Sequence, residues 1–374
     1  MKNQLRPNAP LVFVFLGLRV PNYALSSIEI ARQSSGVSII VLADSSKPAS
    51  VSSDVDWFVI ADFYSPLDFR RFSEKSPFSA DFRDGFWQKT AERFFVLRAF
   101  AAHSETYTFF HGELDCLFFE LDRVESEVVQ TGLTGIFLPR ETSSRCIASL
   151  VYVNDYLTLI NLCAFLEKHA AVGNEMEILG SLSHGGVSQF YALPTADFLF
   201  RGGEFAGEAG SWPVVPENPR FIVDGAVIGR WIFGVDPRNT GGRGTRNRIQ
   251  NHRFGVPFGL PLASIETISG QKGFEAPKVS DTDGKMFKLA TLHVHSKIHS
   301  KIDPTYLKRI FGRLERGKAS WIVRPGIEFP LGVGRRVSKQ AWAVIRSRKR
   351  MSLGFSQLIS LEWWRGLPAR LYKL

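Results

Sequence analysis

The first 110 residues alternate short apolar runs with longer stretches in which apolar positions recur at the spacing of a helix. The runs predict four buried strands, over Leu11–Leu16, Val37–Leu42, Trp57–Ala61 and Thr106–Phe110. The longer stretches predict two helices, over Ser26–Ser34 and Phe86–Ala102. Apolar strands that alternate with helices are typical of a mainly parallel sheet covered on both faces, so we predict an α/β fold class.

The second part of the chain has a mixed pattern with shorter elements. Its apolar runs predict strands over Ile136–Leu138, Ala148–Val153, Phe221–Val223 and Leu289–His295. Helical spacing predicts helices over Tyr156–Lys168 and Asn174–Ser181. Two stretches rich in glycine with proline or arginine predict loops, over Gly202–Asn218 and Asn239–Arg248. The second loop lacks the Lys-Ser/Thr ending of a P-loop, so we do not interpret it as a phosphate cradle.

Composition narrows the class of protein. A hydrophobic share of 44% argues against a disordered chain. The three cysteines, Cys116, Cys146 and Cys163, are too few and too scattered for a disulfide framework or a zinc site, which favours a reducing compartment. The apolar start of the chain has no small-x-small cleavage site, and no apolar run reaches the length of a membrane span. We therefore expect a cytoplasmic protein.

The positive charge is concentrated at the C-terminus. Residues 335–374 carry ten basic residues and one acidic residue, a net of +9 out of the whole chain's +10. Arg335–Met351 can form a helix with an apolar stripe that includes Trp342, and Trp363 and Trp364 follow it. Such a basic amphipathic region suits the anionic inner surface of a membrane. Packing of the stripe against the rest of the protein is the alternative, and we expect no nucleic-acid partner because no known binding module accompanies the charge.

An acidic motif directly follows the predicted strand Thr106–Phe110. Glu113 and Asp115 stand two residues apart, and Gly112 permits a backbone bend that would let both carboxylates converge on one cation. Asp44 follows another predicted strand, and the carboxyl ends of parallel strands meet at one rim, where ligands bind. Mg²⁺ and Mn²⁺ favour such oxygen ligands and keep positions open for phosphates. We predict a metal site here, the alternative being two solvated acids in a turn.

A second motif, Leu292-His293-Val294-His295-Ser296-Lys297, lies in the last predicted strand. Alternation along a strand places His293 and His295 on one face, with Lys297 in register. An imidazole can complete the ligands of Mn²⁺, and a lysine can neutralise a diphosphate. Two strand histidines bonded to their neighbours are the alternative. An ion held by the acidic motif needs a further ligand, and its phosphates need a cation, which favours the metal-binding interpretation.

Together these motifs resemble bacterial GT-A glycosyltransferases of surface-polysaccharide loci, those for capsule or O-antigen. The similarity extends from about residue 10 to about residue 300. The segments that carry it are Trp87–Phe95, His111–Asp115, Ser149–Asn154, Asn174–Glu177, Asp224–Asn239 and Leu292–Lys297. Glu175 departs from the family pattern, in which we expect Asn-Asp-Met-Glu, and the longer side chain puts a role for this residue in doubt. The resemblance implies a GT-A-like nucleotide-binding fold, with a mainly parallel central sheet flanked by helices.

The resemblance also implies roles for individual residues. Glu113 and Asp115 would hold the metal that bridges the nucleotide diphosphate. His295 would be a further metal ligand, with His293 as the alternative, and Lys297 would contact the diphosphate. Arg93 would touch the nucleotide or the sugar, or else pair with Glu92 or Glu113. Asp44 stands at the same rim and is a further candidate for nucleotide binding.

An inverting transferase also needs a carboxylate base to take the acceptor's proton. Four candidates lie in polar patches that interrupt apolar stretches: Asp224, Asp236, Glu175 and Glu177. Asp236 precedes a proline and could instead bond the backbone of a turn. The sequence does not decide between retention and inversion of configuration.

From these observations we expect a metal-dependent glycosyltransferase that uses Mn²⁺ or Mg²⁺ and a UDP- or GDP-linked sugar. The acceptor would be a surface glycan or a lipid-linked precursor, and the protein would work at the cytoplasmic face of the membrane. Residues 1–310 would form the catalytic domain, with a nucleotide and metal half over about 1–130 and an acceptor half over about 131–310. Residues 311–374 would form the basic amphipathic region.

Two other functions fit parts of the sequence. A nucleotidyltransferase acting on sugar phosphates shares the architecture and the metal, but it should carry a glycine-rich basic loop after the first strand. Gly17–Pro21 has a single glycine there. A non-enzymatic scaffold that binds a membrane or a polyanion would need only the basic tail.

Overall fold

The computed structural model describes residues 9–78, 84–142, 145–182, 188–195, 213–226, 228–229, 264–266, 276–280, 285–294, 302–303 and 305–307. Its helices are α1 (Asn22–Ser34), α2 (Arg70–Lys75), α3 (Phe86–Ser104), α4 (Leu121–Val129), α5 (Tyr156–His169) and α6 (Glu175–Ser181). The strands up to residue 195 are β1 (Leu11–Phe15), β2 (Ile39–Ala43), β3 (Asp56–Val59), β4 (Phe109–Gly112), β5 (Cys116–Phe118), β6 (Ile136–Thr142), β7 (Arg145–Cys146), β8 (Leu150–Val153) and β9 (Phe190–Leu193). The later strands are β10 (Phe221–Ile222), β11 (Ser264–Glu266), β12 (Lys278–Ser280), β13 (Met286–Leu289) and β14 (Thr291–His293).

The main sheet has eight strands, in the order β3-β2-β1-β4-β8-β6-β7, with β9 also paired to β6. β3, β2, β1 and β4 run parallel to one another. β8 pairs antiparallel with both β4 and β6, whereas β9 is parallel to β6. The chain therefore has the predicted α/β fold class, with a mainly parallel central sheet flanked by helices.

Each face of the sheet is covered by its own set of helices. On β1, the side chain of Val12 packs in the apolar cluster that contains Phe94 of α3 and Leu162 of α5. The neighbouring residue Leu11 packs instead in the cluster that contains Ile28 of α1 and Val124 of α4. Successive side chains of a strand point to opposite faces, so a strand buried on both faces is apolar at every position. This explains why the strands appear in the sequence as unbroken apolar runs.

The strand that leads into the acidic motif differs in its bounds from the prediction. β4 begins at Phe109 and extends through Gly112, whereas the apolar run had predicted Thr106–Phe110. Gly112 stands opposite Phe13 of β1 and Leu150 of β8, which completes the ladder on both sides. The hydrogen-bonding neighbours, rather than the apolar run, set the end of this strand. Glu113 is therefore the first residue beyond the sheet.

The predicted strand Leu289–His295 is divided between two sheets. β13 belongs to a four-stranded sheet in the order β10-β13-β12-β11, and β14 pairs antiparallel with β5. Ala290 connects them: its N–H donates to the carbonyl of Ile222 at 2.8 Å, and its carbonyl accepts from Phe119 N at 2.9 Å. Both partners come from distant parts of the chain, so the run of apolar residues could not show the division.

Several predicted features lie outside the described residues. These are Asp236, His295, Lys297, the loop Asn239–Arg248, most of the loop Gly202–Asn218 and the basic region 335–374. Within the part of the chain that the structure describes, no helix is both long and apolar enough to cross a membrane.

Candidate metal centre

The acidic motif begins where β4 leaves the main sheet. The N–H of Glu113 donates to the carbonyl of Ser149 at 3.3 Å, and the N–H of Cys116 donates to the carbonyl of Glu113 at 3.0 Å, which closes a turn over Glu113–Cys116. Gly112 is the last residue of β4, and the chain turns directly after it without a positive φ at the glycine. An added Cβ would lie 2.3 Å from the Phe118 ring, so close packing requires the glycine.

β14 brings a histidine to this turn from a distant part of the sequence. His293 stands opposite Cys116 in the β14–β5 pair, and the N–H of Val294 donates to the carbonyl of Asp115 at 2.6 Å. The Nε2 atom of His293 lies 3.1 Å from Asp115 Oδ2 and 3.7 Å from Glu113 Oε2. We call Glu113, Asp115 and His293 the Glu-Asp-His cluster. It joins the acidic motif to the first histidine of the second motif.

The cluster has the chemistry of a divalent-cation site. Together with the thiol of Cys116, its three residues each offer one ligand atom, and the four atoms lie within 4.8 Å of one another. The Glu113 and Asp115 side chains are 19% and 16% exposed, whereas that of His293 is 5% exposed, so the carboxylates form the open side. Two carboxylates and an imidazole suit Mn²⁺ and related ions. These donors fit the predicted metal, and the open side leaves room for further ligands.

A buried carboxylate holds the backbone of His293. Asp224 is 1% exposed, and its Oδ2 accepts from the N–H of His293 at 3.0 Å and of Gly229 at 2.7 Å. Its Oδ1 accepts from the N–H of Ile228 at 2.9 Å. Burial raises the pKa of Asp224, although these backbone donors act in the opposite direction. Asp224 was predicted as a candidate base. In the structure its carboxylate accepts from three backbone N–H groups and has almost no access to solvent, so it holds the backbone of His293 in place.

Arg93 of α3 connects the metal centre to α6. Its Nη1 donates to Glu113 Oε1 at 2.8 Å and its Nη2 donates to Glu175 Oε1 at 2.7 Å. The sequence predicted that Arg93 contacts the nucleotide or sugar, or else pairs with Glu92 or Glu113. The structure shows the pairing with Glu113. Although burial opposes the charge, Glu175 and Glu113 together raise the pKa of Arg93. The guanidinium thus holds Oε1 of Glu113, and the other carboxylate oxygen, Oε2, faces His293.

The remaining candidate acids lie in different surroundings. Glu175 is 1% exposed, and burial raises its pKa to about 7 against the opposing effect of Arg93. Glu177 is exposed and closes a capping box at the start of α6, where its Oε2 accepts from the N–H of Asn174 at 3.0 Å. Asp44 is exposed directly after β2, and its N–H donates to the carbonyl of Phe15 at 3.4 Å. The structure thus places Asp44 at the predicted rim and gives Glu177 a helix-capping role.

His111 of β4, two residues before the acidic motif, is a buried structural residue. It is 1% exposed, and its Nδ1 lies 3.0 Å from the carbonyl oxygen of Val12 on the neighbouring strand β1. Burial, with the nearby charge of Arg93, lowers the pKa of His111 to about 3, so the ring is neutral at physiological pH. A neutral ring that bonds this carbonyl must carry its proton on Nδ1, because only a protonated nitrogen can donate.

A cavity of about 740 Å³ lies between α4 and the four-stranded sheet. Its walls include Arg123, Lys278 and Lys288, and Lys288 Nζ is 2.7 Å from Glu120 Oε2. None of the described residues of the Glu-Asp-His cluster lines it. No sequence pattern predicted this cavity, because its walls come from α4, β10, β12 and β13, which belong to distant parts of the chain.

Comparison with known proteins gives only distant likenesses. No protein-family model and no curated protein matches the chain. Among solved structures, the chain is similar to mouse xyloside xylosyltransferase 1 in its apo form, at 9% identity and a TM-score of 0.38, over 50% of this chain and 86% of that one. It is also similar to the galactosyltransferase LgtC in complex with donor and acceptor sugar analogues, at 12% identity and a TM-score of 0.34, over 50% and 74%.

A third similar structure is the PaToxG glycosyltransferase, at 11% identity and a TM-score of 0.31, over 47% of this chain and 69% of that one. All three are glycosyltransferases by description. At such identities and TM-scores we base no residue assignment and no reaction on them.

Proposed function

We propose that the protein is a metal-dependent glycosyltransferase that moves a sugar from a nucleotide diphosphate to a glycan or lipid-linked acceptor. The observation that carries the proposal is the Glu-Asp-His cluster. Its carboxylates follow a parallel strand of an α/β sheet, and its imidazole comes from β14 to lie 3.1 Å from Asp115. Ligands of such sheets bind beyond the carboxyl ends of the strands. The cluster therefore lies where a nucleotide diphosphate would be expected.

The roles of the chain's own residues follow from burial and contact. His293 would hold the ion from the buried side and Asp115 from the open side, and Glu113 would be oriented by Arg93. A bound Mn²⁺ or Mg²⁺ would neutralise charge that develops on the departing diphosphate. Lys297 would add a second positive charge at the same leaving group, and His295 remains an additional candidate ligand. Asp44 would contact the nucleotide from the exposed end of β2.

For the acceptor side, we propose Asp236 as the remaining candidate base. Asp224 and Glu177 are engaged with backbone donors, and Glu175 is buried against Arg93. A base must reach the acceptor's hydroxyl, which requires an accessible carboxylate. The donor would be UDP- or GDP-linked, and the acceptor a surface glycan or its lipid-linked precursor, handled at the inner face of the membrane through residues 335–374.

The test of the metal and nucleotide assignment is isothermal titration with UDP or GDP in the presence of Mn²⁺. The double variant E113A/D115A should lose binding, because the ion's open-side ligands are gone. The matched control is D68A/E74A, which removes two exposed acids of the segment that ends with α2. Equal binding by all three proteins would contradict the assignment.

The test of the reaction is a donor screen. The protein is incubated with a panel of sugar nucleotides and Mn²⁺, and released nucleoside diphosphate is measured. We expect release from at least one donor by the wild type and by D68A/E74A, and none by E113A/D115A. A nucleotidyltransferase would instead release pyrophosphate from a nucleoside triphosphate and a sugar phosphate. A scaffold would give no release with any metal, while still binding vesicles.

A further inference from the structure

We propose that the thiol of Cys116 is a fourth donor of the metal centre, and that it makes the centre prefer ions that accept sulfur, such as Co²⁺ and Zn²⁺, over Mg²⁺. This inference rests on the metal site of the proposed function and is independent of the transfer reaction. Cys116 follows Asp115 directly, but the three cysteines are far apart in the sequence, so their spacing did not indicate a ligand. The fold brings Cys116 to His293 rather than to another cysteine.

The position of the sulfur fits shared coordination. The ligand atoms of Glu113, Asp115, Cys116 and His293 all lie within 4.8 Å of one another. Ligands bind first-row ions at about 2.0 to 2.3 Å, so two donors of one ion stand at most about 4.6 Å apart. Cys116 and His293 are opposite each other in the antiparallel β5–β14 pair, and directly opposite residues project to the same side of a sheet. A small movement would therefore bring all four donors to one ion.

The backbone of Cys116 is fixed before any ion binds. Its N–H donates to the carbonyl of Glu113, and its carbonyl accepts from the hydroxyl of Ser27 at 2.8 Å. The residue is 0% exposed, as is Cys163, but the two thiols differ in surroundings. Cys163 donates to the carbonyl of Phe94 at 3.4 Å, and burial raises its pKa to about 12. Cys116 belongs to a group of donors that could hold an ion, which makes Cys163 a matched control.

The arrangement also divides the centre by chemistry. The sulfur and the imidazole nitrogen lie on the buried side, and the two carboxylates lie on the side that solvent reaches. Thiolate and imidazole are soft or intermediate donors that suit Zn²⁺ and Co²⁺, whereas Mg²⁺ takes oxygen ligands almost exclusively. Coordination requires the thiolate, so the thiol proton would leave to solvent as the ion binds. The number of protons released per ion is therefore a direct consequence of the proposal.

The experiment is absorption spectroscopy of the full chain with Co²⁺ alone. A thiolate ligand gives a near-ultraviolet sulfur-to-cobalt charge-transfer band, and the chain has only three cysteines. We expect the band in the wild type and in the double variant C146A/C163A, and its loss in C116A. We also expect the Zn²⁺ affinity of C116A to fall by about tenfold or more, since loss of a residue that merely supports a ligand already has an effect of this size. The Mg²⁺ affinity should change little.

The outcomes separate this inference from the proposed function. If Mn²⁺ and UDP bind but the wild type shows no charge-transfer band with Co²⁺, Cys116 is not a ligand and the glycosyltransferase proposal is unaffected. If the band persists in C116A, the sulfur comes from another residue and the inference is wrong. Should C116A not fold, C146A/C163A decides the question, because Cys116 is then the only thiol present. Titration in buffers of different ionisation enthalpy should show one more proton released by the wild type than by C116A.

Discussion

Two buried charged side chains hold the Glu-Asp-His cluster in place, and neither belongs to it. Asp224 accepts hydrogen bonds from the backbone of His293, and Arg93 donates to Glu113 and to Glu175. Partners that orient ligands contribute to metal affinity because they prevent the ligands from turning away. The sequence placed both residues near the site from their motifs, but it could not distinguish a supporting residue from one that contacts substrate.

Stability and metal binding should both require the charged carboxylate of Asp224. In D224N the amide keeps one acceptor oxygen and presents an NH₂ group to backbone N–H donors, which leaves at least one buried donor unpaired. We expect a loss of about 1 to 3 kcal/mol in the free energy of unfolding and a fall of about 10- to 100-fold in Mn²⁺ affinity. Urea denaturation and isothermal titration measure the two effects. D62N, at an exposed aspartate, is the control; the same loss there would contradict the argument.

Glu175 should make the stability of the metal-free protein depend on pH. Burial raises its pKa from 4.5 to about 7 in the folded protein, so the native state binds a proton that the unfolded state has released between these values. The free energy of unfolding should therefore fall as the pH rises from about 4.5 to about 7. In E175Q this contribution is absent. Urea denaturation of both proteins at pH 5 and pH 8, with chelator, should show the larger decrease in the wild type, and parallel curves would refute the assignment.

At the scale of elements, the site depends on two strands of three residues each. β5 and β14 lie more than 170 residues apart in the sequence, and their pairing brings His293 to Cys116. The longer strands of the main sheet were predictable because burial on both faces makes them apolar at every position. β5 was not predicted, since Cys116–Phe118 continues from the acidic motif without a turn signal. At Ala290 the chain passes from β13 to β14, and this change of sheet depends on hydrogen bonds to Ile222 and Phe119. These partners are distant in the sequence, so no local pattern could predict the change.

The loop that carries Asp224 offers a matched pair of glycines. A Cβ on Gly229 would lie 1.7 Å from the carbonyl oxygen of His293, which is backbone and cannot rotate away. A Cβ on Gly225 would meet only Thr195 Cγ2, at an ordinary 3.8 Å. We therefore expect G229A to displace β14, with a loss of about 1 to 3 kcal/mol in unfolding free energy and weakened Mn²⁺ binding.

G225A should leave both quantities close to those of the wild type. Thermal unfolding and Mn²⁺ titration of the two variants make the comparison, since each adds one methyl group to the same loop. Equal effects in G225A and G229A would show that the loop, and not the contact with His293, determines the loss.

At the scale of the whole molecule, the uneven distribution of charge predicts attraction to an anionic membrane surface. Residues 335–374 hold a net charge of +9 of the total +10, together with Trp342, Trp363 and Trp364. Each basic residue near an anionic membrane contributes about 1 kcal/mol of attraction. The rest of the chain is almost neutral and would contribute little. If the proposed acceptor is lipid-linked, this region would increase the local concentration of the protein at the membrane.

The full chain should therefore bind vesicles that contain phosphatidylserine and should not bind neutral phosphatidylcholine vesicles, as measured by cosedimentation. In R348Q/K349Q/R350Q we expect a loss of about 3 kcal/mol if all three cations lie near the surface, which is more than a hundredfold in the partition constant. The control R70Q/R71Q/K75Q removes the same charge from exposed positions of α2 and should bind as the wild type does. Raising the salt concentration should weaken binding of the wild type, because attraction across water is screened within about 10 Å at 0.1 M salt. Equal loss in both triple variants would assign the attraction to net charge alone, whereas loss only in the first would assign it to the basic region.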